Sequence, residues 1–229
     1  MTSRRLPGKT RTRCMMAALA LLLACGCASA SAARPGDDET RKSALTHAQS
    51  RDADERLAAF TVLMKVGRQE DLPLVQFHLF DEDDRVRDTA EAAIWAIWSR
   101  SGDAATDRLF VQGVEQMRDG RLKMAVDTFS QVIAARPDFT EAWNKRATIY
   151  FLLGEDELSL KDCDEVLRRN PQHFGVLAGY GQIYLRKGEL QRALDYFEQA
   201  IAINPNMTGV QASIDALREL MVKRGRRFI

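Results

Sequence analysis

Beyond its first 27 residues the sequence holds a single cysteine, Cys163, so no intramolecular disulfide braces the rest of the chain. Histidine is nearly as scarce. His47, His78 and His173 lie far apart, and none has a second metal ligand at helical or hairpin spacing, which argues against a metal centre. There is no glycine-rich phosphate loop and no serine elbow. The acidic run Asp81 to Asp84 lacks the alternation and distal glutamate of a calcium loop, and reads better as a capped helix start. Net charge is almost absent, at +1. Five of the 33 basic residues crowd the first 14 positions, leaving 28 basic against 32 acidic residues elsewhere. A body near −4 weighs against a nucleic-acid surface. Long hydrophobic runs are missing too. The longest, Met15 to Ala24, is shorter than the roughly 20 residues that span a membrane. These absences leave no catalytic constellation and no reason to expect a cofactor. A hydrolase with a hidden site is the enzymatic reading that remains, and no motif supports it.

The N-terminus carries a basic stretch (Arg4 to Arg13), an apolar run, and then small residues through Ala33, the order of a secretory signal peptide. Pro7-Gly8 sits where a twin-arginine signal expects apolar residues, so Arg4-Arg5 is discounted. Leu22-Leu23-Ala24-Cys25 resembles a bacterial lipobox. That resemblance implies lipidation at Cys25, or at Cys27 one step later, with acyl chains holding the protein at a bilayer. Cleavage near Ala30 or Ala33 would release a soluble periplasmic protein, and an uncleaved anchor is a third course. Residues 1–27 are thus read as signal peptide and lipobox, and 28–50 as a flexible tether. The expected location is periplasmic, with a lipid anchor in the cell membrane or outer membrane.

The rest is organised by a period of 34 residues. It spaces Pro137, Pro171 and Pro205, then Gly120, Gly154 and Gly188, then Ala125, Ser159 and Ala193. Phe129, Cys163 and Phe197 keep step, as do Leu109, Trp143 and Leu177, and Gly113, Ala147 and Gly181. Each unit holds two helical stretches separated by a glycine, which can supply a left-handed helix end. Proline ends the second stretch. The small residues let the paired helices approach, and Phe129 and Phe197 are expected to fill the gap between neighbouring units. Trp143, Tyr150, Tyr184 and Phe197 are expected to hold the units together. One unit cannot bury its apolar face alone, so units stack.

Trp143, Ala147, Tyr150, Gly154 and Pro171, then Leu177, Gly181, Tyr184, Gly188, Ala193, Phe197, Ala200 and Pro205, resemble the tetratricopeptide repeat pattern. Gln116 departs from it where an aromatic is usual, and Cys163 where a large apolar residue is usual. The resemblance implies an all-α, right-handed α-solenoid of three units, 106–139, 140–173 and 174–207. Val210, Ile214, Leu217 and Met221 then mark a capping helix over 208–224. Its basic end reads as a solvated helix C-terminus.

Before the repeats, residues 51–101 carry a further helical pattern. Asp52 or Asp54 caps a helix with Leu57, Phe60, Leu63 and Met64; Asp71 and Pro73 begin a second; Asp81 to Asp84 begin a third with Val86, Ala90, Ile94 and Trp98. The stretch Leu79 to Arg87, with Ala90 and Ala93 behind it, resembles a HEAT-type helical repeat. Trp95 and Trp98 are expected to pack against the first repeat unit.

By the tetratricopeptide resemblance, the first helix of each unit lines a concave groove for a peptide or helix. The groove positions are then Phe110, Val114, Met117, Asn144, Thr148, Phe151, Ala178, Gln182 and Leu185. Relatives that grip a chaperone's terminal carboxylate use basic residues where this chain has Phe110, Val114, Lys145, Gly175 and Gly179, so that partner class is not expected. The reading is a non-enzymatic envelope scaffold with a protein or peptide partner, no nucleic acid, and membrane contact through the lipid anchor alone. The alternative is an accessory subunit that positions a cell-wall or outer-membrane enzyme or assembly machine.

Overall fold

A computed structural model describes residues 36–225, which are helices and turns without a strand. The expected lipidation sites Cys25 and Cys27, the first part of the tether and the last basic residues lie outside them. The N-terminal segment comprises α1 (Asp37–His47), α2 (Ala53–Val66), α3 (Leu72–Phe77) and α4 (Asp84–Trp98), with short 3-10 turns at Gln69–Asp71 and His78–Phe80. Three helix hairpins follow: α5 (Ala104–Arg118) with α6 (Leu122–Ala135), α7 (Thr140–Leu153) with α8 (Asp156–Arg169), and α9 (Phe174–Lys187) with α10 (Leu190–Ile203). The last helix, α11 (Thr208–Gly225), packs on α10 as a cap. The architecture is the expected all-α solenoid with its capping helix.

The glycine column ends the first helix of every hairpin. Gly120, Gly154 and Gly188 have φ of 74°, 82° and 79°. Behind them Arg121, Glu155 and Glu189 donate their amides to the carbonyls of Gln116, Tyr150 and Tyr184 at 2.9 Å. This left-handed C-cap satisfies carbonyls the helix would otherwise orphan. The small-residue column works as expected, but the aromatic column fills a different gap. A Cβ on Gly181 would lie 2.4 Å from the Phe197 ring, and one on Gly113 2.8 Å from Phe129. The two phenylalanines therefore seat first against the facing helix of their own unit. The expected glue residues also differ in depth. Phe197 is fully buried, whereas Trp143, Tyr150 and Tyr184 are half-buried. Trp143 is flanked by Arg146 and Arg169, whose guanidinium carbons lie 5.1 and 4.9 Å from its ring centre.

The expected tether over 28–50 is helix from Asp37 onward. Ala44 and Ala48 are buried, and Arg41 holds Asp71 through two bonds of 2.8 and 2.6 Å. One face of α1 is apolar enough to dock on α2, and the ion pair fixes its position. A second buried fork joins Arg56 to Asp81, at 2.8 and 2.7 Å, with His78 Nδ1 at 2.8 Å from the same carboxylate. Asp83, not Asp81, caps α4 by accepting the Arg85 amide at 2.9 Å. Arg100 donates to the carbonyls of Met64 and Gly67 at 2.7 and 2.6 Å and so closes the end of α2.

The segment is not a separate bead. The largest core cluster runs from Phe60, Leu79 and Ile94 into Phe174, Phe197 and Ile214. Trp95 and Trp98 meet the start of the third unit rather than the first, with Phe174 5.3 and 5.0 Å from them. Superhelical curvature brings the third unit within reach of α4, and a 34-residue spacing does not encode that. Arg87 and the Leu79 carbonyl bind the side chain of Asn206 at 3.0 and 2.9 Å, which ties the segment to the turn that leads into the cap as well.

Candidate functional site

The nine groove positions form three columns, one residue from each of α5, α7 and α9 in every column. The structure splits them by depth. Phe110 is buried between Phe129 and Phe139, with ring centres 5.5 and 5.0 Å away, and Met117 is buried in the same cluster. Asn144 is buried and donates to Glu141 at 3.0 Å, and Thr148 donates back to the Asn144 carbonyl at 3.0 Å. Val114, Phe151, Ala178, Gln182 and Leu185 are half-buried. Ala178 and Leu185 pack on the core shared with the N-terminal segment. Phe151 lies beneath Arg186, at 3.9 Å. The row left with accessible side-chain surface is apolar apart from the Gln182 amide.

A second cluster, which belongs to no sequence motif, joins the N-terminal ends of α7 and α9. Glu141, 1% exposed, receives Lys145 Nζ and Asn144 Nδ2 on Oε1, each at 3.0 Å. Its Oε2 lies 3.1 Å from His173 Nε2. His173 Nδ1 accepts the Val176 amide at 3.2 Å, so the ring proton sits on Nε2 and is donated to Glu141. Burial opposes ionisation of Glu141, but Lys145 and His173 more than offset it and hold the carboxyl well below its usual range. Trp98 stacks on His173 at 4.1 Å, and Lys145 lies 5.4 Å over Trp95. The polar knot is thus roofed by α4. One signal for it was available: His173 occupies a column whose other members are Phe139 and Met207. A histidine in an apolar column needs a buried partner.

Around this knot, the segment and the inter-repeat turns enclose a cleft of about 480 Å³. Trp98, Arg100, Arg136, Phe139, Arg169 and His173 are among its walls. Cys163 is far from reactive, since burial pushes its thiol up to about 12. Among the described residues, no group of three or more His, Cys, Asp and Glu converges as a metal site would require.

Stacked helix hairpins with a partly open row along their first helices define a helical-repeat scaffold for protein interaction. Residues 138–206 match the tetratricopeptide repeat family. A TPR repeat-containing protein of Rhizobium etli is 32% identical over 146 residues, which cover 62% of this chain and 72% of that protein. The chain belongs to the tetratricopeptide repeat family. DnaJ homolog subfamily C member 3 of Homo sapiens is 26% identical over 94 residues, 41% of this chain but 19% of that protein. Among solved structures, the first TPR of Spaghetti (RPAP3) bound to an HSP90 peptide aligns at 18% identity with TM-score 0.49, covering 51% of this chain and 93% of that one. MamA aligns at 17% identity with TM-score 0.44, covering 83% and 89%.

Proposed function

We propose that this chain is a non-enzymatic scaffold of the bacterial cell envelope that holds an apolar peptide or helix along Val114, Phe151, Gln182 and Leu185. One observation carries the reading. These four positions keep accessible surface on three successive first helices, while Phe110, Met117, Asn144 and Thr148 on α5 and α7 are buried. Buried residues fix the helices, and the half-buried row is left to meet a ligand whose side chains recur along it. In this reading the partner is protein rather than nucleic acid, and the leader delivers the scaffold to the periplasmic side, where a lipid on Cys25 or Cys27 retains it.

Photocrosslinking tests the groove. A photoreactive residue in place of Gln182 is expected to capture a partner in envelope fractions, and one in place of exposed Asp127 on α6 is not. Capture from Asp127 alone would move the site to the outer face. Gln182→Ala should leave the melting temperature near wild type and weaken the captured partner by about 2 kcal/mol, the size of an interface hot spot. Asn144→Ala is the wrong probe, because it removes a donor from buried Glu141.

A further inference from the structure

Around the turn between α3 and α4, two aromatic rings face outward. Phe77 is 72% exposed and Phe80 62%, while Val75, His78 and Leu79 beside them are buried. Pro73, also exposed, precedes Phe77 by one helical turn, so the three form one apolar row. Single exposed apolar residues are ordinary on a protein surface, whereas two neighbouring phenylalanines mark a contact. The row runs into an acidic rim. Residues 81–88 hold five carboxylates against two arginines. Both arginines are engaged, Arg85 with Asp83 at 2.8 Å and Arg87 with Asn206 at 3.0 Å. Glu82 is 88% exposed and meets Arg56 only at 3.8 Å, and Asp84 and Asp88 are exposed. The chain carries the complement at its other end. Residues 223–229 read Lys-Arg-Gly-Arg-Arg-Phe-Ile, four cations ahead of an aromatic and an aliphatic residue, with no acid. Geometry keeps this tail from its own patch. Asn206, just ahead of α11, touches the Leu79 carbonyl beside Phe80 at 2.9 Å. The 18 residues of α11 then carry the chain about 27 Å away from that contact. Phe228 lies three residues past Gly225 and regains at most about 11 Å.

We propose that Phe77 and Phe80 receive Phe228 and Ile229 of a second copy of this chain, with Arg226 and Arg227 of that copy against Glu82 and Asp84. Apolar contact at the centre and opposite charges at the rim act together. The two rings leave on the order of 250 Å² bare, well below the roughly 1,000 Å² of a stable interface. The contact is therefore weak, sensitive to salt, and formed where copies are crowded. Patch and tail are different surfaces, so the contact is heterologous: each copy gives a tail and receives one. It uses none of the nine groove positions and stands or falls independently of the groove.

The test mixes ¹⁴N and ¹⁵N copies of the full chain in detergent, with micelles in excess over chains, each copy carrying a photoreactive phenylalanine in place of Phe228. Cross-links between light and heavy copies, from that residue to residues 72–88, are expected. Raising salt from about 50 to about 500 mM should lower their yield several-fold. Glu82→Lys with Asp84→Lys should lower it at least about tenfold, and adding Arg226→Glu with Arg227→Glu to the same chain should restore it. A misfolded variant would not be rescued by charges on a distant tail. Phe77→Ser with Phe80→Ser should abolish the cross-link while melting near the wild type, because both rings are exposed. A photoreactive residue in place of Phe80 should in turn capture residues 223–229. The proposal is overturned if cross-links form only within one copy, if they map elsewhere, if charge reversal leaves the yield unchanged, or if the second reversal fails to restore it. It is also overturned if the Phe80 probe in cells captures another protein or lipid and never the tail.

Discussion

At the scale of single residues, the second unit solves a packing problem differently from its neighbours. The first and third units pair glycine with phenylalanine, and the close ring contacts at Gly113 and Gly181 leave no room for a methyl group. The second pairs Ala147 with Cys163, both buried in one cluster, trading a smaller side chain on one helix for a larger one on the other. Cys163→Phe should therefore overpack the pair and cost about 1–3 kcal/mol. Adding Ala147→Gly should recover part of that loss despite the roughly 1 kcal/mol cost of a helical glycine. A double-mutant cycle in urea reads the coupling, and purely additive changes would refute the trade. Asp81 supports a second prediction. Burial raises its pKa, but Arg56, His78 and the Asp83 amide outweigh this and lower it from 3.8 to about 2. A carboxyl depressed in the folded state stabilises at pH above its unfolded value, and that contribution fades as pH falls from about 4 to about 2. The contribution is about 2 kcal/mol at neutral pH. Urea midpoints should fall across that window in the wild type and change less in Asp81→Asn, which should already be weaker at pH 7.

Among the elements, two of the three glycines of α9, Gly175 and Gly179, have opposite duties. A Cβ at Gly179 would meet nothing within 4 Å, whereas one at Gly175 would lie 2.5 Å from Trp95. Both positions are helical, so replacement by alanine removes the same backbone entropy in each case. Gly179→Ala should stabilise by roughly 0.5–1 kcal/mol. Gly175→Ala should forfeit that gain by displacing Trp95 from its seat, and should show it when compared within a Trp95→Ala background, where the seat is already empty. Thermal melts of both glycine variants, of Trp95→Ala and of the Gly175→Ala, Trp95→Ala double variant decide this; equal gains at both glycines in the wild-type background would show that the tryptophan seat is soft. The helix α1 is the instructive departure from the sequence reading. Residues 28–40 are rich in Ala, Ser, Pro, Gly and Asp, a composition that reads as tether. Ala44 and Ala48 are enough to dock it once Arg41 has Asp71 to hold. That partner lies 30 residues away, beyond the reach of local propensity.

For the whole molecule, the N-terminal helices and the repeats share one core, and α4 roofs the polar knot where α7 and α9 begin. Helix α1 begins at Asp37, 12 residues after Cys25, so a lipid on that cysteine would join the protein through its N-terminal segment. Palmitate labelling of cells should mark the wild type and spare the Cys25→Ser, Cys27→Ser double variant; label kept by that variant would overturn the anchor. The 34-residue columns determined the number of repeats, the glycine helix ends and the small-residue contacts, and the helical spacing of apolar residues after Pro205 determined the capping helix. All of these depend on residues close along the chain, where periodicity and backbone conformation act directly. Three things were decided only in three dimensions: the docking of α4 on the third unit, the burial of Glu141 with Lys145 and His173, and the split of the groove columns into buried and half-buried rows. Each depends on how far the stack curves, and curvature is the sum of small rotations between units. No single column of residues records that sum, so only the assembled solenoid sets which distant side chains meet.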